Sequence, residues 1–291
     1  MRMPKLSLLI LSTFLIAIPV YAQEIGPANG ALVIVGGAMR DRAIVDRFLN
    51  LAGGPDAPIV VIPTAGGAEE YDQYWRGLRQ FKEAGATDLY VLHTNDRNVS
   101  NSEEFVRPIQ NARGVWFGGG RQWRLADSYL DTRVHEELNA LLERGGVIGG
   151  SSAGATIQGS YLARGDTRTN TIMMGDHVEG LGFIKNVAID QHLLRRNRQF
   201  DLIEVIETFP DLLGIGLDEN TGIVVQGDRF EVIGQSLVAI YDYNKTLDSG
   251  GLFYFLAPGD SFDLVTRQAF RPRTDRAPIE RVVERRWPGG I

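Results

Sequence analysis

The sequence predicts an α/β fold, a mainly parallel sheet with helices on both faces, and three observations carry that expectation. Apolar runs of strand length recur through the first half, segments of helical periodicity separate them, and glycine clusters close several of the runs. Strands and helices alternating at this spacing build βαβ units, whose crossovers cover the sheet.

The run Ala31–Val35 is the first buried strand, stopped by Gly36 and Gly37. Residues 41–52 follow as a helix with Ile44, Val45, Phe48 and Leu49 on one face. Residues 58–63 are the next strand and 69–84 the next helix, closed by Gly85. A strand over 88–92 precedes a short helix capped by Ser102 and running to Ile109. The strand Gly114–Phe117 ends in Gly118, Gly119 and Gly120, and residues 122–144 are helical with a break near Asp131 and Thr132. A short strand over 146–149 runs into a serine turn and a helix over 153–158. Beyond it, residues 193–209 read as helix, and 222–242 and 252–270 as hairpin strands added to the same domain. One domain is expected over 23–270, with an Arg- and Pro-rich tail at 271–291.

Residues 1–22 are a different material. Arg2 and Lys5 precede a mostly apolar stretch, and Val20, Tyr21 and Ala22 have the pattern of a signal-peptidase site. This reads as a secretory signal cut after Ala22, so the mature chain is expected in a periplasm or outside the cell. An uncleaved anchor is the alternative, although the stretch is short for a spanning helix of about 20 residues. No later segment is apolar for long enough to span, so no membrane contact is expected after cleavage. Loss of the two leader charges takes the net charge from −6 to −8, a poor basis for binding nucleic acid. The chain has no cysteine, hence no disulfide, no thiolate nucleophile and no Cys-held metal.

Gly150-Ser151-Ser152-Ala153-Gly154 fits the G-x-S-x-G turn between a strand and a helix. Such a turn strains the central serine, needs small neighbours, and aims the hydroxyl at a helix N-terminus, where the Ala153 N–H can hold an oxyanion. A turn that merely packs tightly or binds an anion is the plainer alternative. A serine nucleophile needs a base, and there are four histidines. His135 lies among glutamates on a charged helix, His177 in a polar loop, and His93 at a strand end before a polar loop. His192 ends the apolar run of Ala188-Ile189-Asp190-Gln191, again at a strand's carboxyl end, where sheets of this kind place their sites. No histidine follows it, which argues against an α/β-hydrolase order. A third group is expected from Asp218 or Glu219, at the end of another apolar run, and either can orient the imidazole.

Five motifs in order, between Val33 and Tyr241, resemble the cyanophycinase-like family of serine peptidases, relatives of aspartyl dipeptidases. They are Gly36-Gly37-Ala38, then Phe117 to Gln122, then Gly149 to Ala155, then Asp190-Gln191-His192 with Arg196 and Arg198, and last Gly214 to Glu219. The resemblance implies a three-layer α/β/α sandwich with a flavodoxin-like sheet, related to class I glutamine amidotransferases with serine in place of cysteine. It implies Ser152 as nucleophile, His192 as base, Glu219 as orienting acid, and N–H groups near Gly119 and at Ala153 as the oxyanion hole. It further implies that Gln122, Asp190, Gln191, Arg196 and Arg198 line the substrate site, that no metal or organic cofactor is needed, and that homodimers form. The chain departs from the cyanophycin-cleaving pattern at Asp201, where that pattern has an arginine, and in Arg121 and Trp123 around Gln122.

The expected chemistry is therefore acyl transfer on an amide or isopeptide bond, with Arg196 and Arg198 offered to a carboxylate, as in β-aspartyl (Asp-Arg) peptides. The alternatives are an exported binding protein that keeps the scaffold without turnover, and an aspartyl dipeptidase of different specificity. A phosphate-binding loop at 118–120 lacks both the G-x-G-x-x-G spacing and a Gly-Lys-Ser/Thr ending.

Overall fold

A computed structural model describes residues 24–272 and 275–285, so the expected leader at 1–22 lies outside the described residues. The first half alternates as β1 (Ala31–Val35), α1 (Arg42–Ala52), β2 (Ile59–Ile62), α2 (Arg79–Glu83), β3 (Leu89–Val91), α3 (Arg97–Ser100), α4 (Glu103–Asn111), β4 (Gly114–Phe117), α5 (Gln122–Tyr129), α6 (Arg133–Glu143), β5 (Val147–Ser151) and α7 (Ala153–Thr156). The second half carries β6 (Gly159–Tyr161), β7 (Ile184–Gln191), α8 (Asp201–Thr208), β8 (Leu213–Leu217), β9 (Thr221–Gln226), β10 (Arg229–Gly234), β11 (Val238–Asp242), β12 (Lys245–Leu247), β13 (Phe253–Leu256), β14 (Ser261–Asp263), β15 (Gln268–Phe270) and β16 (Val282–Glu284).

The central sheet runs β15-β14-β10-β9-β1-β5-β4-β2-β3. Its strands β1, β5, β4, β2 and β3 are parallel. Antiparallel β9, β10, β14 and β15 extend it beyond β1. A second sheet, β13-β11-β8-β7-β6, is parallel through β6, β7 and β8 and antiparallel through β11 and β13.

Side chains alternate across each strand, and the core divides accordingly. Val33 and Val35 of β1 and Trp116 of β4 face α1 and α2. Leu32 and Ile34, together with Val115 and Phe117, face α4 to α6 and also the inner face of the second sheet, through Ile189 and Ile215. The outer face of that second sheet packs on Leu202, Val205 and Ile206 of α8. The parallel core of the fold is thus a sheet covered on both faces, with a second sheet added on the C-terminal side.

Several expected elements differ. Helix covers only 79–83 of the expected 69–84, preceded by a 3₁₀ turn at Arg76–Leu78. The segment before that turn runs beside edge strand β3 instead, where the Gln73 side chain donates to Val91 O and accepts from Val91 N. The expected helix over 193–209 begins only at Asp201, because the chain reverses at Asn197, with φ of 54°. The expected hairpins over 222–242 and 252–270 both split: β9, β10, β14 and β15 join the central sheet, and β11 and β13 the second one. Within the segment expected as a tail, β16 pairs with β12. Among the described residues, no helix is long and apolar enough to cross a membrane.

Candidate active site

The carboxyl ends of β1, β4, β5, β7 and β8 converge on one rim. At the end of β5 the chain turns into α7 through Ser152, whose φ of 59° and ψ of −113° lie in a region that non-glycine residues rarely occupy. The turn closes tightly: a Cβ on Gly154 would stand 2.2 Å from Phe117 O, so only glycine fits against the end of β4. This is the strained strand-to-helix geometry that lifts a serine hydroxyl clear of the backbone.

The end of β1 holds the rim together through three successive carbonyls. Val35 O accepts from Ser152 N at 2.9 Å, Gly36 O from His192 N at 2.9 Å, and Gly37 O from Asn220 N at 2.8 Å. Gly37 has φ of 133°, and a Cβ there would lie 2.3 Å from His192 Cε1, so the imidazole ring occupies the space a side chain would need. His192 itself has φ of 55°.

Ser152 Oγ lies 2.9 Å from His192 Nε2, and His192 Nδ1 lies 2.8 Å from Glu219 Oε1. An ionised carboxylate only accepts, so the imidazole proton sits on Nδ1 and donates to Glu219, which leaves Nε2 to accept from the serine hydroxyl. Burial pulls the His192 pKa below its usual 6.5; the Glu219 hydrogen bond opposes this, and the charges of Arg196 and Arg198 add to the lowering. The ring is thereby neutral at neutral pH, the form that takes a proton. The adjacent carboxylate, Asp218, caps the turn after His192 instead. Its Oδ1 accepts from the N–H groups of Leu194 and Arg195, and its Oδ2 from Ser236 Oγ.

Gly119 lies against the serine, where a Cβ would be 3.3 Å from Ser152 Cβ and 3.8 Å from Oγ. Among the described residues no other protein group accepts from the N–H of Gly119 or of Ala153. Arg196 is exposed and Arg198 largely buried, and both line an open pocket of about 520 Å³ with Arg164, Phe200, Asp201 and Glu204. Arg198 donates through Nη1 to Gln191 O and Oε1, and burial lowers its pKa to about 10.

Three residues expected to line the substrate site are buried behind it. Gln122 is fully buried and its Nε2 donates to Ala163 O at 2.7 Å, so it anchors the loop after β6. Asp190 is fully buried and its charge is taken up by Arg164. Gln191 is buried under Arg198. Asp201 does reach the pocket, where Arg164 Nη2 donates to its carboxylate, so it shares that guanidinium with Asp190. Two further residues of the rim, Arg164 and Asn220, are not apparent from the sequence. An isolated arginine in a loop has no periodic or motif signal. The left-handed φ of Asn220, 55°, and its Oδ1, which accepts from the N–H groups of Arg40 and Asp41, belong to a turn whose partners are distant in the chain.

The family profile described as Peptidase family S51 matches residues 32–233. A cyanophycinase from Geminocystis herdmanii (strain PCC 6308) is 34% identical over 223 residues, covering 74% of this chain and 81% of that protein. A cyanophycinase from Synechococcus elongatus is 31% identical over 262 residues, covering 82% of this chain and 81% of that one. Among solved structures, a peptidase from an acI-B1 Actinobacterium superposes with a TM-score of 0.62 at 26% identity, over 82% of this chain and 98% of its own.

Proposed function

The chain belongs to peptidase family S51 and is a serine peptidase, and from that premise we propose that Ser152 is its nucleophile, His192 its general base and Glu219 the carboxylate that orients the imidazole. The observation that carries the assignment is the unbroken hydrogen-bond chain from Ser152 Oγ through both nitrogens of His192 to Glu219, starting at a serine held in a strained turn.

The chemistry follows from the geometry. Ser152 Oγ attacks the carbonyl carbon of an amide or isopeptide bond while its proton passes to His192 Nε2. The carbonyl oxygen becomes an oxyanion and accepts from the free N–H groups of Gly119 and Ala153. The C–N bond then breaks, and the leaving nitrogen takes the proton back from His192. Water gives a proton to the same nitrogen as it attacks the acyl-enzyme; the ester C–O bond then breaks, Ser152 Oγ takes that proton from His192, and the acid is released. Glu219 accepts from His192 Nδ1 throughout and stabilises the imidazolium.

For the substrate, we extend the proposal to a peptide with a carboxylate near the scissile bond, of the β-aspartyl type. Support comes from Arg196 and Arg198 on the pocket wall beside the histidine and from the likeness to cyanophycinases. Asp201 opposes an anion there less than a lone carboxylate would, because it shares Arg164 with Asp190. Export through residues 1–22 belongs to the same proposal, supported by the leader's charge and apolar pattern.

The test is turnover. The purified mature chain is given cyanophycin and β-aspartyl dipeptides, and amine release is followed for wild type, Ser152→Ala and His192→Ala. The expected result is release that falls by about 10⁴-fold or more in each variant. Comparable rates in wild type and both variants would remove these residues from the reaction.

A further inference from the structure

Arg164 is the most fully committed charged side chain near the site. Its side chain is 2% exposed and forks onto Asp190, 1% exposed, with Nε to Oδ1 at 2.7 Å and Nη2 to Oδ2 at 3.0 Å. The same Nη2 donates to Asp201, and Nη1 to Asn170 O at 3.0 Å. One guanidinium therefore ties together the loop after β6, the end of β7 and the first turn of α8. A fork of this shape is specific to arginine, because an ammonium offers no planar pair of donors.

Asp190 is two residues before His192 on β7, and Asp190 Oδ1 also accepts from Gln191 N at 2.9 Å. Gln191 is in turn held by Arg198. Both residues leading into the histidine are thus fixed by buried arginines, Asp190 by Arg164 and Gln191 by Arg198. The histidine that follows has φ of 55°, a conformation that costs energy and persists only where its surroundings over-determine it. The loop bearing Arg164 is itself fixed from the β4 end: Arg121 Nη2 donates to Asp166 O at 2.5 Å and to Thr169 O at 2.8 Å, beside the bond from Gln122 to Ala163 O. Arg164 completes this clamp from a left-handed position of its own, φ 58°.

We propose that Arg164 is a positioning residue for the serine peptidase reaction: through its buried fork with Asp190 it holds the end of β7 so that His192 meets Ser152. This rests on the assignment of Ser152 and His192 above. Arg164 touches neither reacting side chain. Its effect falls on how often the imidazole stands in line with the hydroxyl, hence on the rate of the chemical step. Affinity for a small phosphonylating reagent that does not occupy the arginine-lined pocket is left unchanged.

The probe is a small alkyl fluorophosphonate, which reports the serine's reactivity without a peptide side chain. Saturation kinetics separate its maximal labelling rate from its half-saturating concentration in wild type, Ser152→Ala, Arg164→Ala and Arg164→Lys. Circular dichroism checks that each variant is folded. Arg164→Ala is expected to lower the maximal rate by about 10²-fold with half-saturation unchanged, and millimolar guanidinium ion is expected to restore much of the loss by refilling the space between Asp190 and Asp201. Arg164→Lys keeps the charge but cannot fork, so it is expected to fall between wild type and Arg164→Ala; it decides the matter if the alanine variant does not fold. A lysine variant that labels at the wild-type rate, or an alanine variant whose loss is indifferent to guanidinium, would overturn the proposal while leaving Ser152 as nucleophile. Labelling that persists in Ser152→Ala would overturn the nucleophile assignment and this proposal with it.

Discussion

His192 can accept a proton only while it is neutral, and its environment favours that state. Burial, together with the charges of Arg196 and Arg198, lowers its pKa from 6.5 against the opposing pull of Glu219. Deprotonated base is the active form, so kcat/KM is expected to hold at neutral pH and to fall as pH drops through a value below 6.5. A pH–rate profile checks this, and an acid limb centred above 6.5 would contradict it. The ring's place depends equally on Gly37, whose missing Cβ leaves room for it. Gly37→Ala is expected to lower kcat by about 10²-fold by displacing the imidazole, and wild-type turnover in that variant would show that the ring has another resting place. At this scale Ser152 and His192 stand out in the sequence because each ends an apolar run beside a turn. The choice between Asp218 and Glu219 is not readable from the residues, since adjacent carboxylates differ only in which way the turn aims them. The left-handed Asn220 beside Glu219 and the Asp218 cap on Leu194 and Arg195 make that choice here, and both depend on contacts that span the fold.

The elements that position the site are held by a well-packed core on the α1 side of the sheet. Trp116 of β4 packs edge-on against Phe48, with ring centroids 4.9 Å apart, and against Phe81 at 5.5 Å. Trp116→Ala is expected to lower stability by about 3–5 kcal/mol, measured by urea denaturation; a loss under about 1 kcal/mol would mean that the neighbours close the gap. Strands β1, β2 and β4 are legible because buried parallel strands are unbroken apolar runs. The helix expected over 193–209 starts late because Leu193 and Leu194 fit a helical period while local bonds turn the chain first. Arg198 N donates to Leu193 O, five residues back, at 2.7 Å, and Asn197 turns left-handed with φ of 54°. Similarly, β9 to β11 read as one group of hairpins. Which sheet each strand joins is set by pairing with β1 and β8, contacts distant in the chain.

On the scale of the whole molecule, the first half folds as parallel βαβ units and carries Ser152, and the second half carries His192, Glu219 and Asp190. Under the proposal of export, residues 1–22 are a leader that is removed. Mass spectrometry of protein recovered from the exported fraction of expressing cells is expected to show an N-terminus at Gln23; an intact residue 1 on membrane-bound protein would instead indicate an anchor. Convergence of residues 152, 192 and 219 on one rim cannot be read from spacing alone, because it depends on the order in which the strands of two sheets assemble. The most direct measurement of that convergence is peptide mapping by tandem mass spectrometry after fluorophosphonate treatment of wild type and His192→Ala. The expected result is a single adduct on Ser152 that needs His192 to form. An adduct on Ser151 or another hydroxyl, or one of equal yield without His192, would contradict it.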